Sequence, residues 1–184
     1  MAKMILQNVR GSFVFVTEPR KKENGEAGNY SVQVLLPKDD PQVKKFNKLV
    51  EQALVEKHGS DAAKKKARYK LPMRDGDEER DGEEYEGMYF FNCNGGKKPG
   101  IVNKENEPAD MDDLEELCYS GAYFHVSVNV YGFDAKDGGK PGVAVGLNNL
   151  MLRKKGPRLD GSAAATSEFE DYAEGSDSFD DDDL

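Results

Sequence analysis

The chain has 184 residues, with 35 Asp and Glu against 26 Lys and Arg, a formal charge of −9, two cysteines and no tryptophan. Ten of the acids lie beyond Arg158, where Lys and Arg are absent, so residues 1–159 carry +1 and the anionic excess belongs to the C-terminal arm. The length fits one domain with a real core, and the lack of an apolar leader in MAKMILQNVRG, of a run near the ~20 apolar residues of a membrane helix, and of zinc-ligand spacing among Cys93, Cys118, His58 and His125 leads us to expect a reduced, cytosolic protein with no membrane partner and no zinc centre.

Met4 to Thr17 predicts a long first strand, bent or bulged at Gly11. Pro19 to Gly28 reads as a mobile, partly basic loop. Tyr30 to Leu36 alternates, with Tyr30, Val32, Val34 and Leu36 on one face. Asp39-Asp40-Pro41 then opens an amphipathic helix in which Val43, Phe46, Leu49, Val50, Ala53 and Leu54 recur at helical spacing up to Gly59. A short Lys-rich helix follows, Ala62 to Arg68, whose Lys64-Lys65-Lys66 run reads as a solvated face.

After an acidic stretch, Arg74 to Glu86, the segment Gly87 to Cys93 reads as a buried strand and Asn94 to Gly100 as a basic, glycine-rich loop. Asp110 to Leu117 predicts a helical turn. Ala122 to Phe133 alternates again: Ala122, Phe124, Val126, Val128 and Val130 form an apolar face, and Tyr123, His125, Ser127, Asn129 and Tyr131 the other. A glycine-rich loop, 134–142, leads to a last strand from Val143, with a bulge predicted at Asn148-Asn149. Short strands separated by turns, with one or two helices, imply a mainly β fold built as a small barrel.

No phosphate loop, dinucleotide fingerprint, hydrolase elbow or metalloprotease helix occurs, and the expectation is a protein that is not an enzyme and uses no cofactor or metal. The remaining catalytic option is the carboxylate run Asp75, Asp77, Glu78, Glu79, Asp81, Glu83, Glu84 and Glu86, of the kind that holds divalent metal in nucleases. A calcium loop there would need glycine where Arg80 stands; a solvated acidic loop is the competing reading.

The stronger pattern is of aromatics on strands whose flanking loops are basic. Sequence-tolerant binding of single-stranded nucleic acid needs both, because every base has a stackable face and every nucleotide a phosphate. The stacking candidates are Tyr89, Phe91, Tyr123 and Tyr131; the phosphate candidates are Arg10, Lys21, Lys22, Lys97, Lys98 and Arg153. The face of Tyr123 to Tyr131 serves equally as a stacking platform or as ordinary cross-strand pairing. Phe13, Phe15, Phe90 and Phe124 read as core, and His125 as a hydrogen-bonding neighbour.

Four stretches in order, Asp75-Gly76-Asp77-Glu78-Glu79, Tyr85 to Asn92, Tyr119 to Tyr123 and Gly142 to Leu150, resemble a family of bacteriophage single-stranded DNA-binding proteins. The resemblance implies an elaborated OB-fold over residues 1–158 that coats single-stranded DNA in replication, recombination and repair, in the cytoplasm of the infected host. It implies a disordered acidic tail, 159–184, that recruits replication or recombination proteins and competes with DNA, with Phe179, Asp180, Asp181, Asp182, Asp183 and Leu184 as its partner-binding end. It also allows a homo-oligomer. The alternatives are a mediator or annealing protein acting through protein contacts, and a metal-dependent nuclease using residues 75–86. An OB barrel places its helix after the third strand, whereas two segments precede Pro41 here, so either Met4 to Thr17 counts as two strands or the barrel carries an addition.

Overall fold

The computed structural model describes residues 2–159 and 169–173. The strands are β1 (Ala2–Phe15), β2 (Tyr30–Pro37), β3 (Arg74–Asp75), β4 (Met88–Gly95), β5 (Gly100–Val102), β6 (Tyr123–Phe133) and β7 (Gly142–Lys154). The helices are α1 (Gln42–His58), α2 (Gly76–Glu79) and α3 (Met111–Leu117), with 3-10 turns at Ser60–Lys64, Lys66–Arg68, Glu83–Tyr85 and Glu170–Tyr172. The predicted Lys-rich helix is therefore two 3-10 turns.

β1 pairs antiparallel with β2 and β6, β2 with β4, and β6 with β7. A parallel contact, Asn94 opposite Gly146, joins β4 to β7 and closes five strands into a barrel. In barrel order the first strand lies beside the second and fourth, and the third beside the fifth, which is the OB arrangement. β1 is one continuous strand, so the barrel is elaborated: α1 and the two turns after it stand between the second and third barrel strands, while α3 occupies the place between the third and fourth.

Alternation builds the interior. Leu6 and Val9 from β1, Val32, Val34 and Leu36 from β2, Phe91 and Cys93 from β4, Phe124 to Val130 in steps of two from β6, and Val143, Val145, Leu147, Leu150 and Leu152 from β7 are buried together. The jump from Leu147 to Leu150 is the predicted bulge, where the β6–β7 register shifts between Ser127 and Val128. α1 packs mainly on β6 and adds Phe46, Val50, Ala53 and Leu54 to this core. Gly132 admits it, because a Cβ there would strike the side chain of Lys57.

β1 carries two bulges, on either side of Gly11. Its register slips between Leu6 and Val9 against β6, and between Ser12 and Phe15 against β2, with Asn8 and Phe13 at φ +50° and +46°. Gly11 itself is a close-approach residue: a Cβ would lie 2.6 Å from the Phe124 ring.

Candidate nucleic-acid interface

The second bulge shapes the outer surface. Extra length at Phe13-Val14 turns Phe13 outward, 55% exposed, and leaves Phe15 half-buried opposite Ser31. Four consecutive apolar residues, Phe13 to Val16, cannot all face the barrel, and only Val16 is fully buried.

The β1–β2 loop is folded into a small arm. Lys21 bridges Ala27, the Lys22 N–H donates to Glu26 O at 2.9 Å, the Gly25 N–H to Lys22 O at 2.9 Å, and the Gly28 N–H to Arg20 O at 2.7 Å. The arm sets the Arg20 guanidinium 5.8 Å from the Phe15 ring centroid. Beneath it lies a depression of about 430 Å³ lined by Arg20, Lys21, Lys22, Glu23, Gly28, Asn29, Ser31 and Asn94. A neighbouring depression of about 400 Å³ is lined by Phe13, Phe15, Leu159 and Ser120 among others.

The other half of the β2–β4 outer face is covered. Leu35, Tyr85 and Phe90 form a separate buried cluster, with Leu159 against it. Tyr85 lies edge-on to Phe90 at 5.2 Å between centroids, and its hydroxyl donates to Gln33 Oε1 at 2.7 Å. Arg74 and Arg80 sit 5.2 and 4.8 Å from the Phe90 centroid. The open half therefore carries Phe13, Phe15, Ser31, Asn92 and Asn94 under the basic arm.

Four predicted cations come together around it. Tyr30 pairs with Gly95, so the arm with Lys21 and Lys22 and the β4–β5 loop with exposed Lys97 and Lys98 lie at the same end of the β2–β4 pair. Arg10 does not join them as a free group. Its Nε–H donates to Gly121 O at 3.1 Å and its Nη2 to Pro157 O at 2.6 Å, which ties the segment leaving β7 to the barrel. Arg153 occupies a bulge between the Tyr123 and Phe124 pairings; its Nη1 lies 3.9 Å from Met151 Sδ, and its Nε is buried without a hydrogen-bond partner among the described residues.

The predicted stacking residues separate. Phe91 is a core residue, 1% exposed and stacked on Phe46, because β4 alternation turns it inward; its assignment to a base is corrected here. Tyr123 stands on the outer face of β6, half-buried, with Lys154 Nζ 4.6 Å from its ring centroid. Tyr131 is on the same face, 37% exposed. Eight residues of strand put it about 26 Å from Tyr123. Tyr89 lies at the start of β4, under Lys38 Nζ at 5.4 Å. That ammonium bonds Asp75 and Asp77, both at 2.7 Å.

Three acids of the stretch are thus held by cations. Lys38 hydrogen-bonds Asp75 and Asp77 and keeps both carboxyls below their usual range, as the Arg74 guanidinium does for Glu79. Among the described residues, no three His, Cys, Asp or Glu side chains converge as metal ligands. His125 accepts the Asn8 N–H at Nδ1, 2.9 Å; burial, and secondarily Arg153, push its pKa down. The predicted tail residues Phe179, Asp180, Asp181, Asp182, Asp183 and Leu184 lie outside the described residues.

Phe13, Phe15, Asn92 and Asn94 line this open surface with Arg20 beside them, although Phe13 and Phe15 read as core in the sequence and Asn92 and Asn94 were not singled out there. The unbroken apolar run at Phe13 was the signal for the first two. For Asn92 and Asn94 it was the amide alternating with Phe91 and Cys93.

An OB barrel with an open aromatic strand surface beside a basic arm defines the class. Residues 2–181 match the family described as Enterobacter phage Enc34, ssDNA-binding protein, and the chain belongs to that family. Protein p50 of Acyrthosiphon pisum secondary endosymbiont phage 1 is 27% identical over 180 residues, covering 93% of this chain and 94% of that one. The single-stranded DNA-binding protein of bacteriophage Enc34 has the same fold, with a TM-score of 0.68 at 20% identity over 91% of this chain and 89% of that chain. In complex with ssDNA it matches with a TM-score of 0.65 at 21% identity, over 85% and 89%. Gp2.5, a single-stranded DNA-binding protein encoded by bacteriophage T7, matches with a TM-score of 0.61 at 14% identity, over 95% and 97%.

Proposed function

We propose that this chain is a non-enzymatic phage protein that coats single-stranded DNA in replication, recombination and repair, with residues 1–158 as the binding domain. The observation that carries this reading is the pairing of Phe13 and Phe15 with the arm of Arg20, Lys21 and Lys22 on the open half of the β1–β2–β4 surface. Bases stack on the two phenylalanines; Arg20, Lys21, Lys22, Lys97 and Lys98 neutralise phosphates; Asn92 and Asn94 offer amides to either. Tyr123, backed by Lys154, is a flanking platform. The family supports DNA as the ligand, and on this reading the protein acts in the host cytoplasm. The acidic arm, 159–184, recruits replication or recombination proteins through its end at Phe179 to Leu184 and competes with the strand.

A fluorescence titration with a single-stranded oligonucleotide tests the site. Each stacked base contributes about 1–3 kcal/mol, so Phe13→Ala with Phe15→Ala weakens binding at least tenfold. Lys21→Ala with Lys22→Ala lowers the slope of log affinity against log salt by about 0.7 per lost contact. Unchanged affinity in the phenylalanine variant and unchanged slope in the lysine variant together sink this placement.

A further inference from the structure

The positive charge of the body is concentrated away from that surface. Residues 42–70 carry nine Lys and Arg against three Asp and Glu, net +6, while the rest of residues 1–159 sums to −5. In the arm, Arg20, Lys21 and Lys22 are offset by Glu18, Glu23 and Glu26. The electrostatic centre of the protein is therefore α1 with the two turns after it.

The structure brings three of these cations together. α1 buries Phe46, Val50, Ala53 and Leu54 and leaves Lys44, Lys45 and Lys48 exposed. The 3-10 turns return Lys66 to the same depression that Lys44 and Lys48 line, about 430 Å³, together with Asn47, Glu51 and Leu71. Lys66 pairs with Glu51 at 3.3 Å, whereas Lys44, Lys45, Lys48, Lys64 and Lys65 form no ion pair among the described residues. Taken alone, the Lys64–Lys66 run reads as a solvated face; through Lys66 it joins the lysines of α1 in one cationic lobe.

This surface differs in chemistry and place from the aromatic one. No aromatic side chain on it is exposed: Phe46 is buried and Tyr69 is half-buried against His58. It can neutralise phosphates and cannot stack bases. α1 follows the C-terminal end of β2 and the arm precedes its N-terminal end. The eight-residue strand separates those ends by about 23 Å.

We propose that the α1 lobe is a second nucleic-acid-binding surface, which reads the sugar–phosphate backbone alone and so accepts duplex DNA, whose bases are closed to Phe13 and Phe15. It goes beyond the single-strand reading and does not depend on it. A protein with both surfaces holds single strand on one side and adjoining duplex on the other.

The test is binding of a blunt duplex by the full chain at low salt, titrated with salt. The wild type binds with a steep salt dependence. Lys44→Gln, Lys45→Gln, Lys48→Gln, Lys64→Gln and Lys65→Gln combined, all exposed positions checked by thermal melting for an intact fold, weaken duplex binding at least tenfold and lower the slope by about 0.9 per lost phosphate contact. The Phe13→Ala, Phe15→Ala variant keeps duplex affinity. No duplex binding by the wild type, or equal affinity and slope in the lysine variant, overturns the proposal. So does a lysine variant with unchanged duplex binding that loses a synthetic 174–184 peptide, which assigns the lobe to the acidic end of the chain.

Discussion

The ring of Phe46 on α1 lies nearly parallel to that of Phe91 on β4, 16° apart with centroids at 4.3 Å, and both are buried. This contact fastens the added helix to the barrel interior. Phe46→Ala and Phe91→Ala should each cost about 3–5 kcal/mol through lost burial and the cavity left behind. The double variant should cost less than the sum, since the partners share one contact. Denaturant unfolding measures all three. Phe91→Leu, which keeps most of the volume, should leave oligonucleotide affinity at the wild-type value; a tenfold loss in a folded Phe91→Leu protein would return the residue to the interface.

Gly11 and Phe124 make a second inward constraint. A methyl at Gly11 meets the ring at 2.6 Å and Val32 at 3.2 Å. Gly11→Ala should destabilise by about 1–3 kcal/mol, the range for overpacking a well-filled core. Gly11→Ala with Phe124→Leu should recover part of that loss in a thermal melt. Equal stability of wild type and Gly11→Ala would mean that β1 shifts freely at this point.

Strand identity was legible wherever one face is buried. The alternation of Ala122 to Val130 and of Tyr30 to Leu36 reads directly as core against surface, and the Asn148-Asn149 bulge shows as a phase jump between Leu147 and Leu150. Phe91 misled because four aromatic or apolar residues, Met88 to Phe91, stand in sequence with both faces of β4 covered: Phe91 by α1, and Phe90 by Tyr85, Arg74 and Arg80. A strand covered on both sides carries no alternation that could separate ligand-facing rings from packed ones. The gathering of Lys44 and Lys48 with Lys66 was hidden for another reason. It depends on how two 3-10 turns reverse the chain after Gly59, which no period in the sequence encodes.

His125 gives stability a pH dependence. Its Nδ1 accepts the Asn8 N–H only when unprotonated, and burial with the nearby Arg153 lowers its folded pKa below 6.5. As pH falls, the unfolded chain takes up the proton first, so the stability held by the neutral ring is complete above about pH 6.5 and drains away as pH drops toward the folded value. The melting temperature of the wild type should therefore fall as the pH is lowered through and below about 6.5, and fall less in His125→Gln. Parallel curves for the two proteins would remove His125 as the titrating group.

Arg10 is bonded to carbonyls of its own chain, unlike the exposed lysines of the arm. Its donors are turned to Gly121 O and Pro157 O, and the segment it holds carries Gly156, whose carbonyl accepts the Tyr119 hydroxyl at 2.8 Å, and Leu159, whose N–H donates to Ser120 O at 2.9 Å. A hydrogen bond from a charged donor contributes about 1.5–3 kcal/mol when well made, and solvent around the half-exposed Arg10 reduces that to about 1 kcal/mol. Arg10→Gln should lower stability by that amount and speed amide exchange at Leu159, while the salt slope of single-strand binding stays at the wild-type value. A phosphate-binding Arg10 would behave in the opposite way, with stability unchanged and the slope reduced by about 0.7. Measured together, the melt and the salt titration assign this arginine to one role or the other.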